Sequence, residues 1–168
     1  QWSKRKLMSE FDDRLKAAIE RGKVRGQRAQ DELSQQQATA EQLRRQHTQI
    51  RLQISEHIET IVKRMADYFP GFRYENVFGE NGWGAACWRD YLSMSNGQRR
   101  SQYSRFEMVI RPVNEFLVVD IHAKGTIDNR EVMTRNYYQP VAEVDTDHFL
   151  KLADAWALSY AELNAAKG

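Results

Sequence analysis

Between Gln27 and Phe69 the chain has neither glycine nor proline. The two residues that most readily end a helix are missing from 43 consecutive positions, which excludes a turn-rich fold there. Cysteine is almost absent too: Cys87 stands alone, so no intrachain disulfide forms, which fits a reducing, cytoplasmic setting. No apolar run reaches the roughly 18 residues a membrane-spanning helix requires, and mean hydropathy is -0.73. Charge of one sign is lacking as well, since 25 Lys and Arg meet 23 Asp and Glu for a net +2. Gly79, Gly82 and Gly84 are followed by no Gly-Lys-Ser/Thr, so they mark a hairpin and not a phosphate loop.

What is present divides at Pro70-Gly71. Residues 1–69 read as a helical rod, and residues 70–168 read as a compact α+β domain whose core is shared with residues 54–69. Only 99 residues then remain to close a core, a size at which uncovered apolar surface matters. The rod carries 14 basic against 10 acidic residues, and the compact part 11 against 13. Nucleic acid usually needs a concentrated basic face, and the compact part offers none.

Along the rod, steps of four and three link Leu15, Ile19, Gly22, Gly26, Ala29, Leu33, Gln36, Ala40, Leu43, His47, Ile50, Ile54, His57 and Ile61. Sustained 3.5-residue spacing is the mark of a coiled coil, because the stripe keeps facing one partner as two helices supercoil. Half of these 14 positions are Leu or Ile, with Ile19, Ile54 and Ile61 at a and Leu15 and Leu43 at d, a pattern that favours two parallel strands. Lys16, Lys23, Arg44 and Arg51 at e face the uncharged Ala18, Thr39 and Gln46 at g, so no attractive charge ladder forms. The expected partner is therefore a second copy in a parallel homodimer, with the seam running from Leu15 to Ile54. An acidic chain is the other candidate.

Gly22 and Gly26 interrupt the helix pattern, each at a cost of about 1 kcal/mol relative to alanine. Either the helix continues through them with backbones in close approach, or Gly-Lys-Val-Arg-Gly forms a hinge or turn; the second is slightly preferred. From Ile54 the stripe widens through Ile58, Ile61, Val62, Met65 and Phe69 to 3.6-like spacing, as in a helix docked on a sheet.

Beyond Gly71, five extended runs at 72–78, 83–93, 103–113, 116–124 and 130–138 are separated by turn residues, among them Asn96-Gly97 and Asp128-Asn129. Short gaps predict an antiparallel meander of four or five strands. Phe106, Met108 and Ile110, then Leu117, Val119 and Ile121, alternate with mostly polar residues, so one face is buried. Asp145 suits a helix N-cap, and Phe149, Leu152, Ala153, Trp156, Tyr160 and Leu163 then mark the face of a helix covering the sheet. In architecture alone this order resembles kinetochore-type and secretion-chaperone-type domains, and no motif extends the likeness to function.

Chemistry-bearing residues are few. Asp120 and His122 share one side of a strand, with Glu107 on the neighbouring strand, a grouping that wet sheet faces also produce without catalysis. Cys87, among Ala85, Ala86 and Trp88, reads as a small buried hydrophobe. His47 and His57 share the seam, where two chains would pair like residues to bind a metal or sense pH. Trp83, Trp88, Tyr91, Tyr103, Tyr137 and Tyr138, with Arg89, Arg105 and Arg135, resemble the makings of a stacking platform for single strands, yet no ribonucleoprotein signature accompanies them. The expectation is a non-enzymatic, self-associating interaction module with no cofactor. A nucleic-acid adaptor ranks second, and a small enzyme or ligand binder at Asp120 and His122 ranks third.

Overall fold

The computed structural model describes residues 2–167. The elements run α1 (Trp2–Tyr68), β1 (Arg73–Gly79), β2 (Gly82–Ser95), β3 (Gln98–Ile110), β4 (Val118–Ile127), β5 (Arg130–Pro140), a short 3-10 turn at Val141–Glu143, and α2 (Thr146–Lys167). The class is α+β, as the sequence predicts. The chain forms two compact units, residues 1–42 and 43–168, so the boundary falls inside α1 rather than at Pro70-Gly71. We call the second unit the head.

Gly22 and Gly26 do not break α1, contrary to the hinge preferred from sequence. Their penalty of about 1 kcal/mol each weakens a helix without ending it, and Lys23, Val24 and Arg25 between them supply no turn former. Close backbone approach is not seen within the chain either, since a Cβ added at either glycine would meet nothing within 4 Å.

The sheet is a meander of five strands in sequence order, every pair antiparallel. Local chemistry explains the tight turns. Asn96 (φ 51°) with Gly97 (φ 75°), and Asp128 (φ 48°) with Asn129 (φ 69°), supply the paired left-handed residues that close two-residue hairpins compatible with strand twist. Asn129 also accepts from the Tyr103 N–H at 3.0 Å, tying its turn to β3.

One sheet face carries the core. Ala85, Cys87, Phe106, Met108, Ile110, Val119 and Ile121 are fully buried there, against Ile54, Ile58 and Val62 of α1 and Phe149, Ala153 and Tyr160 of α2. Leu43, Ile50, Ile61 and Phe69 pack at its margin, so the head takes α1 from residue 43, earlier than the expected residue 54. In α2, Asp145 is the N-cap, accepting from the His148 N–H at 3.3 Å. Leu163, expected on the buried face, is 42% exposed because α2 runs past the end of the core at Tyr160. Gly125, beside a β-bulge in β4, leaves room for the Tyr160 ring: an added Cβ would lie 2.7 Å from Tyr160 Cδ2.

Candidate functional site

Each half of α1 treats its apolar stripe differently. Within the head, Ile54 and His47 are enclosed and Leu43 and Ile50 are half-buried against the core, so these four of the ten expected seam positions are covered by the chain's own fold. Sequence spacing does not reveal this, because 3.5 and 3.6 periodicities differ little over three turns. In the N-terminal unit, Leu15, Ile19, Ala29, Leu33 and Gln36 are exposed and Ala40 is half-buried.

The exposed stripe is wider than a heptad seam. At 100° per residue, Leu7, Met8, Phe11, Leu15, Ile19 and Leu33 fall within about 120° of arc, with Gly22, Gly26 and Ala29 between them. Each of the six large side chains is 45–63% exposed. A single helix cannot cover its own stripe. Among the side chains described in this unit, Val24 is the one large apolar residue that is exposed outside the arc.

Charge follows the same geometry. Arg5, Lys16 and Lys23 border the stripe on one side, Arg14, Arg21 and Arg28 on the other, and Lys4 and Arg25 lie inside the arc. Of the nine basic residues between Lys4 and Arg28, Lys6 alone sits behind, with Asp13 and Glu20. Glu10 and Asp12 are the acidic residues on the borders of this stretch. Beyond Arg28 the unit has no further basic residue, and Glu32 and Glu41 take the border positions.

Both histidines of the expected seam have surroundings supplied by the head itself. His47 is 2% exposed, its Nε2 is enclosed without a hydrogen-bond partner, and burial, aided by the Arg51 charge, lowers its pKa below the usual 6.5. His57 contacts Asp154 of α2, with Nε2 2.7 Å from Oδ1. Both are therefore residues of the head, His47 enclosed by it and His57 held against α2.

On the sheet face opposite the core, Asp120, His122 and Glu107 do come together. His122 Nε2 lies 3.0 Å from Asp120 Oδ1, but the angle falls outside hydrogen-bond range and that enclosed oxygen has no other partner. His122 and Glu107 line a hollow of about 290 Å³ with Arg111, Lys124 and Arg135. Three permanent cations around it suit the holding of an anion better than proton transfer. Arg111 is missed by sequence reasoning because its backbone pairing with Asp120 brings it there, and Arg135, named from sequence for a stacking platform, reaches the hollow from the edge strand β5.

The aromatic and arginine residues do not form one platform. Strand alternation sets Trp83 and Tyr91 on the core side, where Arg51 stacks 3.8 Å over Trp83 and Arg89 lies 4.4 Å over Tyr91. Trp88, Tyr103 and Arg105 take the opposite side, where Arg105 binds Glu75 at 2.6 Å. Cys87 is fully buried, and burial pushes its thiol up to about 12, so it stays protonated and inert.

No family model matches this chain, and no curated protein or solved structure matches it. Among the described residues, no helix is long and apolar enough to cross a membrane.

Proposed function

We propose that this protein is a non-enzymatic interaction module whose head is its folded body and whose N-terminal helix is the element that associates. One observation carries this reading: six large apolar side chains share one face of residues 2–42 and all are exposed. A long helix draws most of its stability from a covered amphipathic face, and this face has no cover of its own.

The magnitudes describe how such a module behaves. Full burial of a large apolar side chain stabilises by about 1.5–3 kcal/mol, so covering six that are about half exposed yields roughly 6 kcal/mol per chain. Two copies covering each other gain about 12 kcal/mol against an association cost of about 4–15 kcal/mol, which makes a homodimer micromolar at best. Gly22, Gly26 and Ala29 favour that dimer by letting two backbones approach, with the heptad positions Leu15, Ile19 and Leu33 setting a parallel register.

Sedimentation velocity of the full chain over a micromolar range tests the reading beside a Phe11→Asp, Leu15→Asp variant. Both positions are exposed, so the head of the variant melts as before. The expected result is concentration-dependent association in the parent chain and none in the variant. Identical, strictly monomeric behaviour of both chains would overturn self-association.

A further inference from the structure

We infer that the first seven turns of α1, residues 4–28, are a docking site for an anionic lipid surface, on which the helix lies in the interfacial plane. The inference rests on the reading that the N-terminal helix is the associating element, and it names the partner. Leu7, Met8, Phe11, Leu15 and Ile19 form the apolar floor, and six basic side chains against Glu10 and Asp12 border that floor on its two sides while Asp13 and Glu20 face away. This is the charge order that complements a negatively charged headgroup layer above an apolar interior.

Three features favour a lipid surface over a protein. First, the floor spans about 120° of arc, broader than the a/d seam that one helical partner covers, whereas a flat apolar surface takes its whole width. Second, a second copy brings basic borders against basic borders, and residues 4–28 carry nine basic against four acidic side chains. Third, the long lysine and arginine stems bordering the floor can lie along apolar surface while their charged ends reach headgroups on either side. The docked stretch is about 37 Å long at 1.5 Å per residue, and it ends at Arg28, the last basic residue of the N-terminal unit.

Co-sedimentation of the full chain with vesicles decides the matter. One set is phosphatidylcholine alone, and the other is phosphatidylcholine and phosphatidylserine in equal parts. Strong binding to the mixed vesicles alone, weakening as salt rises, is the expected result. Replacing Arg14, Lys16, Arg21 and Lys23 by glutamine weakens binding about fivefold per residue, several hundredfold in all. Phe11→Asp with Leu15→Asp abolishes it. Equal binding to both vesicle sets, or binding indifferent to the glutamine replacements, overturns the inference. So does retention by poly-glutamate without retention by vesicles, which would assign an acidic polypeptide instead. If vesicles do not bind but the parent chain self-associates through Phe11 and Leu15, the associating role stands and the lipid partner falls. If the aspartate variant matches the parent in both assays, both readings fall.

Discussion

Replacing Gly125 by alanine tests the head's core at its tightest point. The added Cβ would sit 2.7 Å from Tyr160 Cδ2 and 3.2 Å from Met133 Cγ, where ordinary contact begins near 3.4 Å. The ring must therefore retreat by about 0.7 Å, the difference between 3.4 and 2.7. It has little room to do so. Tyr160 is fully buried, its ring centroid lies 5.0 Å from that of Phe106, and its hydroxyl donates to the Thr126 carbonyl at 2.8 Å. Overpacking of this kind costs about 1–3 kcal/mol, and the tethered ring places Gly125→Ala toward the upper end. Tyr160→Leu alone loses the hydrogen bond and part of the ring's packing, a further destabilisation of about 2–4 kcal/mol. In the double variant the smaller side chain makes room for the methyl, so the two losses combine to less than their sum by about 1 kcal/mol or more. Urea denaturation of the four chains measures this coupling directly. A neutral Gly125→Ala, or strict additivity in the double variant, would refute the assignment of Gly125 as the space that admits Tyr160.

Two further predictions concern α1. Gly22→Ala with Gly26→Ala adds about 2 kcal/mol of helix propensity where neither methyl meets another atom, so amide exchange over residues 20–30 slows about thirtyfold; unchanged or faster exchange would mean that this segment is not helical. His47 binds fewer protons folded than unfolded in the window between its lowered pKa and the ordinary 6.5, so the head loses stability as pH falls through and below 6.5. His47→Leu flattens that dependence in thermal melts at pH 7.5 and 5.5, and a parent chain equally stable at both values would contradict the burial of a neutral imidazole.

Much of the head is legible in its residues because the determinants are local. Asn96-Gly97 and Asp128-Asn129 announce hairpins through the left-handed backbone those residues tolerate, and alternation along β3 and β4 states which side is buried. Asp120 and His122 share a face for the same reason. The extent of α1 that belongs to the head is not legible: Leu43, His47 and Ile50 look equally fit to meet a second helix or a sheet, and only tertiary packing assigns them. Nor does spacing show that Arg111 and Arg135 join His122, since the pairing of Arg111 with Asp120 and the place of Arg135 on the edge strand β5 decide it. Gly22 and Gly26 are ambiguous because a penalty near 1 kcal/mol each lies within what flanking helix formers offset.

The meander also constrains how the head is made. Each strand pairs with neighbours adjacent in sequence, so the sheet can assemble hairpin by hairpin as the polypeptide is synthesised. Its apolar side, however, is roofed by the residues just before β1 together with α2, which follows the whole sheet. Until Phe149, Ala153 and Tyr160 leave the ribosome, a half-roofed apolar face stands open to neighbouring nascent chains. Docking of α2 is thus the step that closes the apolar face of the head, while β1 and β5 stay at the sheet's edges.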